Sequence, residues 1–303
     1  MKSISKHRNP TKIKNMINGY LWLLPFLIPY SFFTLFMLIE TGVISFQDYN
    51  LMKGGVFNGL DNYDFLLTDH SWWQSLWNTT IFVVFSTPFL MLLPLLIAIM
   101  IEGGMLKNRD FFRTTFFAPY ILPVSIVAYT FYYILTPYQG LLNNTLRLLG
   151  IIGIDQEIYW LSTLPAAWVS IIFETVWWTS GFNLVLYIAG MKDIPASLYE
   201  SAEIDGANFV QKARYITIPM LGRVHYSLLF MQLVASFKVF SQAYLLTGGA
   251  PGGGTRTYIH YFYDVGFRTS KFGRAAACAL VLFVIVMTIS VVQTKISNKL
   301  IQT

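Results

Sequence analysis

Long apolar runs separated by short polar segments dominate the chain. Six stretches reach the roughly 20 mostly apolar residues that a membrane-crossing helix needs. They run from about Tyr20 to Phe46, Ile81 to Ile101, Thr114 to about Leu135, Leu164 to Ala189, Tyr226 to Leu246 and Ala275 to Thr294. Glu40 interrupts the first, the fourth contains Glu174 and the fifth contains Lys238. No period-two alternation runs along them, which argues against a β-barrel. Their lengths also exceed those of buried helices in soluble domains. The pattern predicts an all-α, polytopic membrane protein with six transmembrane helices.

A basic lead (Lys2, Lys6, Arg8, Lys12, Lys14) precedes the first run. That run is too long for a signal-peptide core and no small-residue cleavage site follows it, so it reads as an uncleaved first helix. Residues 1–19 are expected to be a basic cytoplasmic tail and residues 20–303 one transmembrane domain. Composition agrees. Only 12% of the 303 residues are charged and 55% are hydrophobic, against about 25% charged in a soluble domain. An ordinary soluble enzyme and a disordered chain are both excluded. The single Cys278 leaves no intramolecular disulfide framework and no cysteine-based zinc cluster.

The net charge of +6 matters through its placement. With the six runs as spans, fourteen Lys and Arg fall in the tails and loops of one side and five on the other. The positive-inside rule then puts both termini in the cytoplasm of a cell-membrane protein, and the charge is not read as a nucleic-acid footprint. No phosphate-loop motif is present. The glycine cluster Gly248–Gly254 has no following lysine and reads as a flexible turn leaving the fifth span. His7, His70, His225 and His260 have no metal-ligand spacing, and no nucleophile elbow appears. Neither a metal nor a cofactor is expected, and the chain is not read as an enzyme. Its energy source lies outside it or in an ion gradient.

The polar stretch Gly190 to Arg223 is too long for a plain helix connection, typically about two to eight residues. Pro195 suits a first helical turn. Ala196 to Ile204 predicts a short helix with Leu198, Ala202 and Asp205 on one face. Asp205-Gly206 ends it, the glycine supplying a left-handed cap or a close backbone approach. Asn208 to Ile218 predicts a second short helix, and Pro219 marks entry into the fifth span. Asp-Gly by itself is most often a simple helix cap, and an interfacial helix often only anchors.

The whole string says more. Tyr199-Glu200-Ser201-Ala202-Glu203-Ile204-Asp205-Gly206-Ala207-Asn208, followed by Gln211 and by Ile216-Thr217-Ile218-Pro219-Met220-Leu221, resembles the coupling-loop signature of ABC importer permeases. Glu200, Ala202, Asp205, Gly206, Ala207, Ile216 and Pro219 match in residue and spacing; Ser201 stands for an alanine. Gly59-Leu60-Asp61-Asn62-Tyr63, Trp77-Asn78-Thr79, Arg113-Thr114 with Pro119-Tyr120, Leu246-Thr247-Gly248-Gly249-Ala250-Pro251 and Phe272-Gly273-Arg274-Ala275-Ala276 resemble the carbohydrate branch of these permeases. The branch is that of the first permease of glycerol-phosphate and multiple-sugar uptake systems.

The resemblance implies a subunit forming half of a solute path with a second permease subunit, as a heterodimer. Cytoplasmic ATP-binding subunits would drive it and an extracytoplasmic solute-binding protein would feed it. Residues 190–223 would be the coupling loop, docking on the ATPase through Leu198, Glu200, Ala202, Asp205, Gly206, Ala207, Ile216 and Pro219. Glu174 and Lys238 are expensive in hydrocarbon and should face protein or water. They line the solute path with Trp178, Asn183, Gln232 and Gln242, or they hold the fourth and fifth spans together. The rival reading is an ion-coupled secondary transporter of a small polar solute, for which the same two charges would be the coupling residues.

Overall fold

The computed structural model describes the backbone of residues 10–302 and the side chains of residues 18–297. The basic lead falls largely outside the described residues: Lys2, Lys6 and Arg8 entirely, Lys12 and Lys14 in their side chains. The described residues divide into two compact units, 10–65 with 265–280, and 66–264 with 281–302.

In the first unit, α1 (Pro10–Tyr30) passes through a π-helical segment, Ser31–Phe36, into α2 (Met37–Ile44). Pro25 and Pro29 lie inside α1. Each removes a backbone donor and crowds the preceding turn, which is the local reason for a widened turn just beyond. A hairpin follows, β1 (Gln47–Asn50) against β2 (Gly54–Phe57), antiparallel with Gln47 opposite Phe57. The expected all-α fold is therefore mostly helical with one two-stranded hairpin among the described residues. Asn50, Gly54 and Gly55 are turn formers, and Gly54 takes φ +76°, a conformation that ends a helix and closes a tight turn.

Asn62, near the start of α3 (Asp61–Thr68), donates to the carbonyls of Ser45 and Gln47 at 2.9 Å each. A Cβ at Gly273 would lie 1.9 Å from the Gln47 carbonyl oxygen, so only glycine lets the helix beginning at Phe272 meet β1. The Arg274 guanidinium sits 3.7 Å from the Phe65 ring centre. Two of the sequence segments quoted above, around Gly59–Tyr63 and Phe272–Ala276, thus form one packed joint.

The second unit is built on two long helices, α4 (His70–Glu102) and α8 (Leu164–Lys192). The Asn183 side chain donates to the Leu90 carbonyl at 2.7 Å, pinning one to the other. Around them come α5 (Arg109–Ile121), α6 (Val124–Leu135), α7 (Leu141–Leu148), α9 (Ala196–Ile204), α10 (Phe209–Lys212), α11 (Ile218–Met220), α12 (Gly222–Phe237), α13 (Ser241–Thr247) and α14 (Tyr258–Tyr263). The last helix, α15 (Phe272–Gln302), crosses from the first unit into the second.

α4 starts eleven residues before its apolar run. Asp69 caps it by accepting from the Ser71 N–H at 2.8 Å, and its polar first turns are buried against backbone. The Asn78 amide donates to the carbonyls of Gly253 and Arg256, both at 2.9 Å. Thr79 Oγ1 accepts from the Tyr258 N–H at 2.8 Å. The glycine cluster, expected to be a flexible turn, is thereby a tied one.

Two apolar runs are not single helices. Within Thr114–Leu135 the chain makes α5 and α6, bent by 95°. Pro123 is the reason: it drives Leu122 to an extended ψ of 139° and withholds a donor. Within Tyr226–Leu246 it makes α12 and α13, bent by 44°. Among the described residues, four helices are by themselves long and apolar enough to cross a membrane, or up to six if each bent pair is one span.

Candidate functional site

The two bends meet one cavity of about 390 Å³, inside the second unit. α8 supplies Thr175, Trp178, Thr179, Phe182 and Asn183, positions three and four apart that share one helical face. The fifth run supplies Gln232, Ser236, Lys238 and Gln242 among others, and α5 supplies Tyr120. Tyr120 stacks on Phe182 with centroids 5.2 Å apart and leans on Trp178 at 6.3 Å. Trp178 spends its one polar atom on structure: Nε1 donates to the Leu122 carbonyl at 3.1 Å, at the break between α5 and α6. Its ring is left as a wall of the cavity.

Five of the six residues expected on the solute path, Trp178, Asn183, Gln232, Lys238 and Gln242, therefore line a common space. Glu174 does not. It is fully buried, its Oε2 accepts from Thr175 Oγ1 at 3.3 Å, and its Oε1 has no partner. Nor do Glu174 and Lys238 form an ion pair among the described residues. Lys238 is exposed in this chain and ends α12 as its C-cap. Sequence reasoning missed Tyr120, Thr175, Thr179, Phe182 and Ser236. Three of these share the α8 face with Trp178 and Asn183, so helical period alone would have found them.

A second arrangement lies at the other polar stretch. The helix expected over Ala196–Ile204 forms with those bounds. Its end is a Schellman turn: the Ala207 N–H donates to the Ala202 carbonyl at 2.8 Å and the Gly206 N–H to the Glu203 carbonyl at 3.0 Å. Gly206 takes φ +75° with open space where a Cβ would stand. Its glycine is needed for backbone conformation and leaves room for another molecule's backbone. Asn208 then opens the next turn through a capping box with Gln211. The second short helix, expected as one piece over Asn208–Ile218, is α10, a π-helical segment Ala213–Thr217 and α11.

This helix–turn–helix is carried by the core, not hung from it. The Phe209 ring occupies the place a Gly103 side chain would fill, at the end of α4. Tyr199 OH and Thr217 Oγ1 are 2.9 Å apart, and Lys212 pairs with Glu203 at 2.8 Å. Ile216, Phe209 and Tyr199 pack on a cluster of buried residues from α4, α8 and α12.

The eight residues expected at the ATPase divide accordingly. Leu198, Glu200, Asp205, Gly206 and Pro219 are exposed, Ala202 and Ala207 are half-buried in the turn, and Ile216 is turned into the core. The apolar group most freely offered is one not singled out, Ile204, 87% exposed against 40% for Leu198. Its place between Glu203 and Asp205, two residues before Gly206, was the available signal.

Comparison with known proteins settles the family. Residues 67–302 match the family described as binding-protein-dependent transport system inner membrane component. The chain belongs to this family. As an ABC transporter permease it is similar to the probable permease YurN of Bacillus subtilis, 33% identical over 93% of this chain and 96% of that one. It is 32% identical to the lactose transport permease LacF of Rhizobium radiobacter over 91% and 93%. It is 31% identical to the trehalose/maltose transport permease MalF of Thermococcus litoralis over 92% and 93%. A crystal structure of a bacterial ABC transporter that imports the acidic polysaccharide alginate contains a chain with a TM-score of 0.85 and 25% identity, covering 95% of this permease and 98% of that chain. The permease is thus a multi-pass membrane protein of inner-membrane type.

Proposed function

We propose that this permease is one subunit of a binding-protein-dependent ABC importer for a carbohydrate-class solute. It forms half of the translocation path, pairs with a second permease subunit, receives solute from an extracytoplasmic binding protein and has no ATPase site of its own. Its 190–223 loop couples to a separate cytoplasmic ATPase, and both termini are cytoplasmic. The solute class is supported by the sugars for which its relatives are named.

One observation carries the coupling role. The turn at Gly206 projects Glu200, Ile204 and Asp205 outward while its base is locked, through Phe209, Tyr199 and Ile216, to the helices that line the cavity. A push on such a turn moves packed helices rather than a loose loop, which is the physical requirement for coupling two sites. Partial burial of Glu200 against a basic group of a partner would strengthen that pair.

A mild-detergent pull-down of the tagged chain tests the reading. A second six-span permease and a phosphate-loop ATPase are expected with it. The Gly206→Trp variant is expected to insert and assemble but to lose ATP-driven uptake. Recovery of the chain alone, with ion-driven uptake in vesicles lacking ATP, would establish the secondary-transporter alternative instead. The separation of buried Glu174 from exposed Lys238 speaks against that alternative's coupling pair.

A further inference from the structure

The cavity at the two bends carries a charge that no described residue of this chain pairs with. Among the described residues lining it, Lys238 is the only charged one. The rest are aromatic (Tyr120, Trp178, Phe182), amide (Asn183, Gln232, Gln242), hydroxyl (Thr175, Thr179, Ser236) or aliphatic. Lys238 Nζ makes no ion pair and no hydrogen bond among the described residues. Glu174, the nearest acid in sequence on α8, is buried and is not part of the lining.

Position adds to composition. Lys238 stands where α12 ends, at the break before α13. Irregular backbone within a membrane-crossing segment persists where it lines a cavity or is buried in protein, and broken helices mark binding sites in other membrane transporters. A cation in such a segment is costly unless it meets water, a partner or a passing solute. The favourable end-of-helix position explains why a lysine is tolerated there, but it does not require the side chain to line the cavity. A lone cation beside amides, hydroxyls and aromatic faces favours an anionic group over a neutral one, because it alone supplies charge to the space.

We propose that this cavity selects an acidic saccharide, with Lys238 as the residue that reads its carboxylate. The aromatic wall of Tyr120, Trp178 and Phe182 offers flat apolar faces to sugar rings. The amides and hydroxyls meet ring hydroxyls, and Lys238 supplies a charge-assisted hydrogen bond to the acid. The proposal rests on the importer reading given above and narrows its solute class.

The test uses the intact transporter, both permeases, ATPase and binding protein, in proteoliposomes. Three probes are compared: trigalacturonate, glucose 6-phosphate and the neutral maltotriose. ATP-dependent accumulation of trigalacturonate, with little of maltotriose, is expected. Lys238→Gln is expected to lower trigalacturonate uptake by roughly ten- to a hundredfold, the worth of a hydrogen bond to a charged group. Lys238→Arg should retain most of it. Assembly of each variant with the ATPase is checked by co-purification, which separates a folding defect from a lost contact.

An ATP-coupled complex that accumulates only maltotriose overturns the proposal, as does trigalacturonate uptake unchanged in Lys238→Gln. Accumulation of glucose 6-phosphate alone would replace the carboxylate by a phosphate and overturn the stated class. Failure to recover any ATPase with the chain would instead overturn the importer reading itself.

Discussion

α8 and the fifth apolar run build the same cavity in opposite ways. α8 is unbroken over 29 residues and offers Thr175, Trp178, Thr179, Phe182 and Asn183 from successive turns of one face. Its backbone is satisfied internally, so only side chains face the space. The fifth run divides into α12 and α13, and at the division it brings Lys238 and non-helical backbone to the space. The first arrangement gives a rigid wall with a fixed polar stripe. The second gives charge and a joint. The third run repeats the second pattern: Tyr120 lines the cavity just before its 95° bend, and Trp178 of the straight helix ties the bend through Leu122.

The largest expected effect breaks the straight wall. A Cβ at Gly181 would stand 2.3 Å from the Phe116 carbonyl oxygen and 2.7 Å from the Phe117 Cα, both backbone atoms of α5. Gly181→Leu should cost about 3 kcal/mol by overpacking, seen as an early thermal unfolding of the detergent-solubilised complex. Unchanged stability would mean that α5 and α8 part easily and that the wall is not rigid. Next comes the joint. Trp178→Phe keeps an aromatic ring but removes both the bond to Leu122 and part of the indole's packing, so a loss of about 1–3 kcal/mol is expected. Faster amide exchange at the start of α6 should accompany it. Exchange unaltered there would deny the tie.

Two smaller tests ask whether the projecting turn is as firmly held as the wall. Asn208→Ala removes half of a capping box and should cost about 1 kcal/mol, with increased exchange confined to Phe209–Thr217. Spread of that increase into α8 would show that turn and cavity share one cooperative unit. Lys212→Met removes a partly exposed ion pair with Glu203 and should change stability by less than about 1 kcal/mol. A larger loss would assign the pair a structural weight that its exposure argues against.

Much of the fold was legible in the sequence, through period and punctuation. The helix over Ala196–Ile204 was bounded by Pro195 on one side and Asp205-Gly206 on the other, and both act through backbone conformation, which is local. The long apolar helices were equally plain. The bend at Pro123 had its signal too, since proline restricts its neighbour wherever it sits. The bend at Lys238 had no such signal: residues 238–240 contain neither glycine nor proline. The hairpin at Gln47–Phe57 was hidden behind a helical apolar run and announced only by Asn50, Gly54 and Gly55.

The candidate site divides along the same line. Types and spacing were enough to pick Trp178, Asn183, Gln232, Lys238 and Gln242, because polar groups in an apolar run are conspicuous. They could not exclude Glu174, which is as conspicuous and lies next to Thr175 of the lining. On a helix, adjacent residues point about 100° apart, so whether a side chain faces a cavity or a neighbouring helix depends on what packs against that face. Ile204 shows the converse. Its apolar side chain would ordinarily be assigned to a core, yet it is left outside because Tyr199 and Phe209 fill the space beneath the turn.

By itself, then, the sequence determined the long apolar helices, the ends of the helix over Ala196–Ile204 and the turn at Gly206, because hydropathy, proline and positive φ act within a few residues of the chain. Only tertiary structure decided that two bent apolar runs meet one cavity, that Glu174 is walled off while Lys238 faces the space, and that the turn is locked to the cavity's helices. Those outcomes depend on which faces meet, and burial of a side chain is a property of its neighbours in space.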